Sequence, residues 1–448
     1  MRNGALSAAL LAGVLGLAGA GTVGTGVAAA QDRSVEDLVQ KAIARHQRTI
    51  QQAQVQDQAP SQDRVPGQDD DQQGDNGWNG DQDGAPDAPD AQPDTERPPP
   101  PYVPPVSSQG PADPNETLEP GQPAQPSAVP SPAQQSAADS VGMRAENLTA
   151  ELVNSTQFHP GAEQVRGVSP LLLKTQVLLD RANASPGVID GRYGKNVSKA
   201  ISSYQQELGL PVDGKLSADL WNAIGGNLDH PILIDYTVTP EDVAGPFYPS
   251  LPHDYAEQAK LPNLGYRDPW EELAERFHMD EKLFREINHG RDPSVPGTVL
   301  TVADTKGPPI KGVIARIEAD KKHGQVRAYD DKGWLVVAYP ATIGSSDTPS
   351  PSGEVTIRAV AQNPVYYYSP SNFVQGNNTK NLQLPPGPNN PVGMVFIALS
   401  KPTYGIHGTP EPSAIDKTFS HGCVRLTNWD AEELSKLVHP GIPVVFTE

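Results

Sequence analysis

Phe419-Ser420-His421-Gly422-Cys423-Val424-Arg425-Leu426 holds the only cysteine in a chain of 448 residues. A free thiol titrates near pH 8.5, so only a few per cent is thiolate at neutral pH, and a working nucleophile needs a base or a cation beside it. His421 stands two residues away. A second histidine, His407, ends an expected strand in Tyr404-Gly405-Ile406-His407-Gly408-Thr409-Pro410. A loop of about a dozen residues returns the chain from His407 to Ser420, and it can bring His407 and Cys423 together across adjacent strands. Gly422 permits close backbone approach, so amides near Cys423 can face an incoming carbonyl oxygen. A lone cysteine taken by itself reads equally as buried, inert filler. Its neighbours decide between the two.

Working outward, Asn428 to Val438 reads as a helix, with Thr427 and Asp430 in the capping relation that marks a helix start. Before the cysteine, Gly312–Glu318, Gln325–Tyr329, Trp334–Tyr339, Glu354–Ala361, Met394–Leu399 and Tyr404–His407 read as short strands, and Val444–Phe446 ends the chain as another. Strands at this spacing indicate a mostly β domain. Tyr339, Tyr366, Tyr367 and Tyr368 are candidates for a substrate path, with core or rim packing as the plainer reading.

Further upstream the periodicity changes. Leu171, Leu172, Gln176, Leu178 and Leu179 fit one helical face, and Val197, Ala200, Ile201 and Tyr204 fit another. Two turns repeat, Ile189-Asp190-Gly191 and Val212-Asp213-Gly214, and Leu220-Trp221-Asn222-Ala223-Ile224 closes a three-helix unit. Ile232–Val238 reads as a strand and is followed by a loop rich in Pro and Tyr. Trp270–Phe277 and Glu281–Asn288 read as two short helices, and Gly297–Val302 as a closing strand.

H-G-T-P followed by S-H-G-C-x-R-L resembles the L,D-transpeptidase catalytic (YkuD) family over about residues 308 to 448. Thr348-Pro349 with Gly353, and Pro388-Asn389-Asn390-Pro391-Val392-Gly393, resemble further segments of that family, expected to be structural. The resemblance implies a mainly β, β-sandwich-like catalytic domain with one helix in its C-terminal region. It implies that Cys423 is the nucleophile, that His407 is its general base, and that the Gly408 carbonyl orients the histidine. Many relatives carry Ser at that last position. It further implies that Ser420 and His421 shape the site, that the amides of Gly422 and Cys423 form an oxyanion hole, and that Arg425, Tyr404 and Thr409 contact substrate. The implied reaction is attack on the bond between a diamino acid and the terminal D-Ala of a tetrapeptide stem, a thioester, and transfer to an amine. The sequence leaves the acceptor open: 3→3 cross-linking, lipoprotein attachment, D-amino acid exchange, or water. β-Lactams of the carbapenem class are implied covalent inhibitors.

Gln176, Asp190-Gly191-Arg192-Tyr193-Gly194, Gln205, Gly209-Leu210-Pro211-Val212-Asp213-Gly214 and Trp221 resemble the peptidoglycan-binding domain 1 family, which implies glycan or stem-peptide binding. The strand, helix, helix, strand order after it resembles a degenerate LysM module, a second kind of wall binder. Its loop of about 30 residues between strand and first helix departs from the pattern.

The expected organisation is a signal peptide at 1–30, an Asp/Gln/Pro-rich disordered linker at 31–165 with a candidate helix from Val35 to Arg48, the three-helix module at 166–228, the βααβ module at 230–304, and the catalytic domain at 307–448. Arg2, the apolar run Leu6–Leu17 and Ala28-Ala29-Ala30 carry the signal reading, with a retained anchor as its alternative. Both place the protein outside the cytoplasm, in the periplasm or wall. The formal charge of −20, from 34 basic and 54 acidic residues, disfavours nucleic acid, whose phosphates require clustered Lys and Arg. The remaining histidines lack ligand spacing and no phosphate loop is present, so neither metal nor cofactor is expected. Two rival functions remain at this level. One is a cysteine peptidase or L,D-carboxypeptidase using water. The other is a wall-binding protein with a vestigial catalytic domain.

Overall fold

The structure, a computed structural model, describes residues 142–161, 165–344, 349–418, 420 and 422–448. The signal-peptide and Val35–Arg48 readings, Thr348 and His421 lie outside the described residues. The upstream part begins earlier than the sequence suggests. Helix α1 (Ala150–Ser155) is started by Thr149, whose hydroxyl accepts the Leu152 N–H, and it buries Val153 completely. Met143 pairs with Val168 in an isolated bridge, and Leu148 is buried. The linker therefore stops short of residue 142, not at 165, because Leu148 and Val153 supply the apolar anchors its Pro- and Asp-rich part lacks.

That segment explains the next helix. In α2 (Pro170–Arg181), capped by Ser169, burial extends around the whole circumference from Pro170 to Leu179 rather than along one face. Lys174 is only 2% exposed. Its ammonium donates to the Asn154 and Thr156 carbonyls at 3.1 and 3.0 Å and lies 5.3 Å from the Trp221 ring centre. A buried lysine needs such partners. Helix α3 (Lys195–Leu208) ends at Gly209, which takes the left-handed φ of 68° that suits glycine, and α4 (Ala218–Ala223) follows. The two repeated turns are tied the same way. Gln176 accepts from the Asp190 and Gly191 amides and donates to Asp190 Oδ1 at 2.8 Å. Gln205 accepts from the Asp213 and Gly214 amides and donates to Asp213 Oδ1 at 2.8 Å.

Strand β1 (Leu233–Thr237) pairs antiparallel with β2 (Val299–Ala303), Leu233 opposite Ala303. Between them lie α5 (Tyr255–Gln258), α6 (Pro269–Arg276) and α7 (Glu281–Ile287), each started by an aspartate side chain accepting a first-turn N–H. The three-helix and βααβ parts share one apolar core, running from Ala145 to Ala303.

The C-terminal part is a nine-stranded sheet. Its strands are β3 (Arg316–Asp320), β4 (Gln325–Tyr329), β5 (Leu335–Pro340), β6 (Thr342–Ile343), β7 (Gly353–Gln362), β10 (Val395–Leu399), β11 (Gly405–His407), β12 (Val424–Arg425) and β13 (Pro443–Thr447), in spatial order β5-β4-β3-β13-β7-β10-β11-β12-β6. The strand expected from Gly312 begins only at Arg316. Helix α8 (Asn428–Leu437) packs on the sheet, with Thr427 Oγ1 accepting the Asp430 N–H at 3.1 Å. A separate hairpin, β8 (Tyr366–Tyr368) with β9 (Leu382–Leu384), stands off the sheet. The edge strand β5 is not left open. The Ser185 N–H donates to the Ala338 carbonyl, and the Ala338 N–H to the Asn183 carbonyl, each at 2.9 Å, so the turn after α2 caps it.

Candidate active site

Strands β10, β11, β12 and β6 position the chemistry. β10 and β11 run antiparallel with Phe396 opposite His407, and the two rings stack with centres 5.9 Å apart. β11 and β12 run parallel, Ile406 beside Val424 and His407 beside Arg425. Cys423 immediately precedes β12, at the cavity end of that pairing. The His407 ring is buried, and its Nδ1–H donates to the Gly408 carbonyl at 2.7 Å. That bond fixes the tautomer and leaves Nε2 as the acceptor. Burial lowers the imidazole pKa to about 4, against the raising effect of the Gly408 bond, and the Arg425 charge adds to the lowering. His407 is therefore neutral at pH 7.

Cys423 is half-buried, with Sγ 3.6 Å from the Thr403 carbonyl. Burial pushes its thiol up, opposed by a hydrogen bond from the Gly405 backbone and by the Arg425 charge. Both shifts favour the neutral form of their group, thiol and imidazole alike. The loop around it is clamped by two serines. Ser420 Oγ accepts the Gly344 N–H at 2.7 Å and donates to the Cys423 carbonyl at 2.6 Å. Ser350 Oγ donates to the Gly422 carbonyl at 2.7 Å. Gly422 sits at φ 99°, where a Cβ would lie 2.9 Å from the Tyr404 ring, so the position requires glycine. Thr403 adopts φ 71°, an unfavourable region for a β-branched residue. It is held there by the turn closed by the Leu399 N–H on the Tyr404 carbonyl at 3.0 Å.

Cys423, His407 and Arg425 line one cavity of about 1010 Å³. Tyr404 and Thr409 line it too. The Tyr404 ring carries the Lys401 ammonium 4.6 Å from its centre, and Thr409 is buried with its N–H on Asn428 Oδ1. Burial lowers the Arg425 pKa, opposed by Tyr255, Cys423 and Tyr366, and all four line this cavity. Of the tyrosines considered above, Tyr366 lines this cavity and Tyr367 lies at its rim, 68% exposed. Tyr339 and Tyr368 do not line it. Tyr339 is fully buried and donates to Glu433 at 2.9 Å, facing the turn after α2, and Tyr368 is core to the hairpin. Of the two segments expected to be structural, Gly353 opens β7 and Asn390 donates to the Pro385 carbonyl and accepts the Val392 N–H, yet Pro349, Pro391 and Val392 also line the cavity.

Several cavity residues escaped the sequence reading, Tyr255, Phe396 and Thr403 among them. Tyr255 comes from the long loop after β1 and packs edge-on against Tyr366, Tyr368 and Phe373 at 6.1, 5.4 and 6.5 Å. Gln375 ties the same loop down, accepting the Tyr255 N–H and donating to the His253 carbonyl. Phe396 is identified only by the pairing register that sets it opposite His407, and Thr403 by the turn before β11. Among the described residues, no group of three His, Cys, Asp or Glu side chains is arranged to hold a metal ion.

Comparison with known proteins adds the following. Residues 314–446 match the family model described as "L,D-transpeptidase catalytic domain", and residues 170–224 match "Putative peptidoglycan binding domain". The chain is 33% identical over 132 residues to "Putative L,D-transpeptidase YkuD" of Bacillus licheniformis, covering 30% of this chain and 65% of that protein. It is 29% identical over 187 residues to "Probable L,D-transpeptidase YcfS" of Escherichia coli, covering 39% of this chain and 57% of that protein. The chain thus spans less than two thirds of the length of these curated relatives. Among solved structures, L,D-transpeptidase 3 from Mycobacterium tuberculosis aligns over 34% of this chain and 76% of that one, at 18% identity and a TM-score of 0.26.

Proposed function

We propose, for a chain whose residues 314–446 match the L,D-transpeptidase catalytic domain family model, that Cys423 is a peptidoglycan acyltransferase nucleophile activated by His407. The observation that carries this reading is the shared cavity: a thiol, an imidazole with Nε2 free to accept, and a guanidinium all line it.

The chemistry follows from the protonation states. His407 Nε2 takes the thiol proton as Sγ attacks the carbonyl joining the diamino acid of a stem peptide to its terminal D-Ala. The carbonyl π electrons move to oxygen, and the amides of Gly422 and Cys423 are the proposed donors to that oxyanion. As the carbonyl re-forms, the C–N bond breaks and the imidazolium protonates the departing amine. The thioester is then attacked by an acceptor amine, whose proton passes to His407, and the thiol is released. Arg425, ringed by Tyr255 and Tyr366, supplies positive charge at the cavity wall for an anionic group of the stem. His421, two residues before the nucleophile, completes the motif. Residues 170–224 are proposed to hold the enzyme on the wall, and the N-terminal 30 residues to export it. Amine acceptors include a second stem, a wall-anchored lipoprotein and a free D-amino acid. Water as acceptor would make a carboxypeptidase.

Intact-mass analysis after incubation with a carbapenem tests the nucleophile. One adduct that vanishes in Cys423→Ala is expected. A folded protein that stays unmodified would overturn the reading in favour of a vestigial domain. Muropeptide digests with an amine acceptor then separate transfer from hydrolysis.

A further inference from the structure

We propose that Glu275, on the upstream helix α6, is a positioning residue for the catalytic imidazole and acts on it through Asn428. The assignment rests on the reading of Cys423 and His407 given above.

Asn428, the first residue of α8, is buried between the two parts of the molecule. Its Oδ1 accepts the Thr409 N–H at 3.1 Å and the Met394 N–H at 3.3 Å. Those bonds hold Thr409, which follows Gly408, and Met394, which precedes the Val395 whose carbonyl accepts the Gly408 N–H at 3.3 Å; the Gly408 carbonyl in turn accepts the His407 Nδ1–H. There is no spare room in this arrangement: a Cβ on Gly408 or on Gly393 would overlap Asn428 Oδ1.

An amide has two unlike ends. Oδ1 serves two backbone donors only if Nδ2 finds acceptors on the opposite side. There Nδ2 donates to Glu275 Oε2 at 2.9 Å and to the Pro388 carbonyl at 3.2 Å. The Glu275 side chain is thus one of two groups that set which way Asn428 faces. Glu275 is itself buried, so water does not compete for the bond. One turn earlier, Glu271 accepts from Asn389 Nδ2 at 3.2 Å and pairs with Arg267, a second grip by α6 on the catalytic part. Burial raises the Glu275 carboxyl to about 8, with Glu271 and Glu432 adding to the rise and Asn428 and Arg267 opposing it. The acceptor is therefore the oxygen of a neutral acid at pH 7, and glutamine can reproduce it.

Without the Glu275 acceptor, Asn428 can turn, the Thr409 and Met394 amides lose their common oxygen, and the Gly408 carbonyl drifts from His407. The cysteine remains in place while its base loses orientation. The loss should fall on the acylation rate constant and not on ligand binding.

The test is the single-turnover acylation of Cys423 by a carbapenem in the full-length protein, resolved into saturation constant and limiting rate. The expected result is wild-type behaviour for Glu275→Gln and a limiting rate lowered about tenfold or more for Glu275→Leu, with the saturation constant unchanged. The His407 Nδ1–H proton resonance should shift in Glu275→Leu alone. Should Glu275→Leu fail to fold, Glu275→Met, which fills the space flexibly without an acceptor, is read the same way. A folded Leu or Met variant that acylates at the wild-type rate overturns the assignment. So does a Gln variant as slow as the Leu variant. Absence of acylation in the wild-type protein would instead count against the cysteine reading itself.

Discussion

The Nδ1 of His407 lies 2.7 Å from the carbonyl oxygen of Gly408, its own neighbour in the chain. A carbonyl can only accept, so this one contact decides where the imidazole proton sits and leaves Nε2 as the acceptor. Burial holds the ring neutral down to about pH 4. Cys423 acylation should therefore persist as pH falls through 6.5 and be lost only near 4. His407→Ala should slow it by about 10²- to 10⁴-fold, the usual contribution of a positioned base. The folded pKa lies below the unfolded one, so the unfolded chain takes up this proton first. Stability should decline as pH drops from about 6.5 to about 4, and His407→Gln should remove its share of that decline. Rate–pH profiles and denaturation at each pH check both.

Gly408→Ala should damage the same contact from the other side. The added methyl group meets Asn428 Oδ1 and forces it away from the Thr409 N–H. A stability loss of about 1–3 kcal/mol is expected for such overpacking, together with slowed acylation. Urea denaturation alongside intact-mass kinetics measures the pair. Serine, which relatives carry here, brings the same Cβ and should behave similarly in this chain unless Asn428 is changed too.

Asp430 makes a separate prediction. It lies buried on α8 close to Asp180, His278 and Ser185, and its Oδ2 has no partner among the described residues. His278 itself pairs with Asp180 at 3.0 Å and stacks on Trp429 at 5.0 Å. Burial, with the Asp180 charge, raises the Asp430 carboxyl to about 8. A folded pKa above the unfolded value means stability is present at low pH and lost as pH rises through 8. Each unit of that window is worth about 1.4 kcal/mol. Asp430→Asn should therefore be more stable than wild type at pH 9, by about 1 kcal/mol or more, and near it at pH 4. Thermal unfolding at the two pH values is the measurement.

Gln205→Leu should destabilise by about 2 kcal/mol or more. It strands the Gly214 and Asp213 amides, and an unsatisfied buried donor costs roughly 1–3 kcal/mol. Gln176→Leu should act alike on the first turn. Acylation of Cys423 by a carbapenem in still-folded protein should be unchanged by either, since both turns lie far along the chain from β11 and β12.

Much of the site was legible because it is local. His407, Ser420, Gly422 and Cys423 sit on two short stretches, and strand alternation with one glycine turn suffices to bring such stretches together. The twin Asp-Gly turns, each paired with a glutamine on the preceding helix, were legible for the same reason. Tyr339 took the plainer of its two readings, core packing, though a tyrosine near a strand end carries no mark of which face it takes. Its register turns it toward Glu433 and away from the thiol.

The sequence by itself determined most of the elements and the residues proposed for the chemistry: apolar periodicity, capping residues and glycine positions are properties of neighbours in the chain. Only the tertiary structure decided that residues 142–161 belong to the fold, since the buried Lys174 takes its acceptors from Asn154 and Thr156 and Val153 joins the core. It alone decided that Tyr255 forms a cavity wall and that Glu275 reaches Asn428 across 153 positions of sequence. Such contacts arise when separately folded surfaces exclude water from one another, and no local pattern encodes which surfaces will meet.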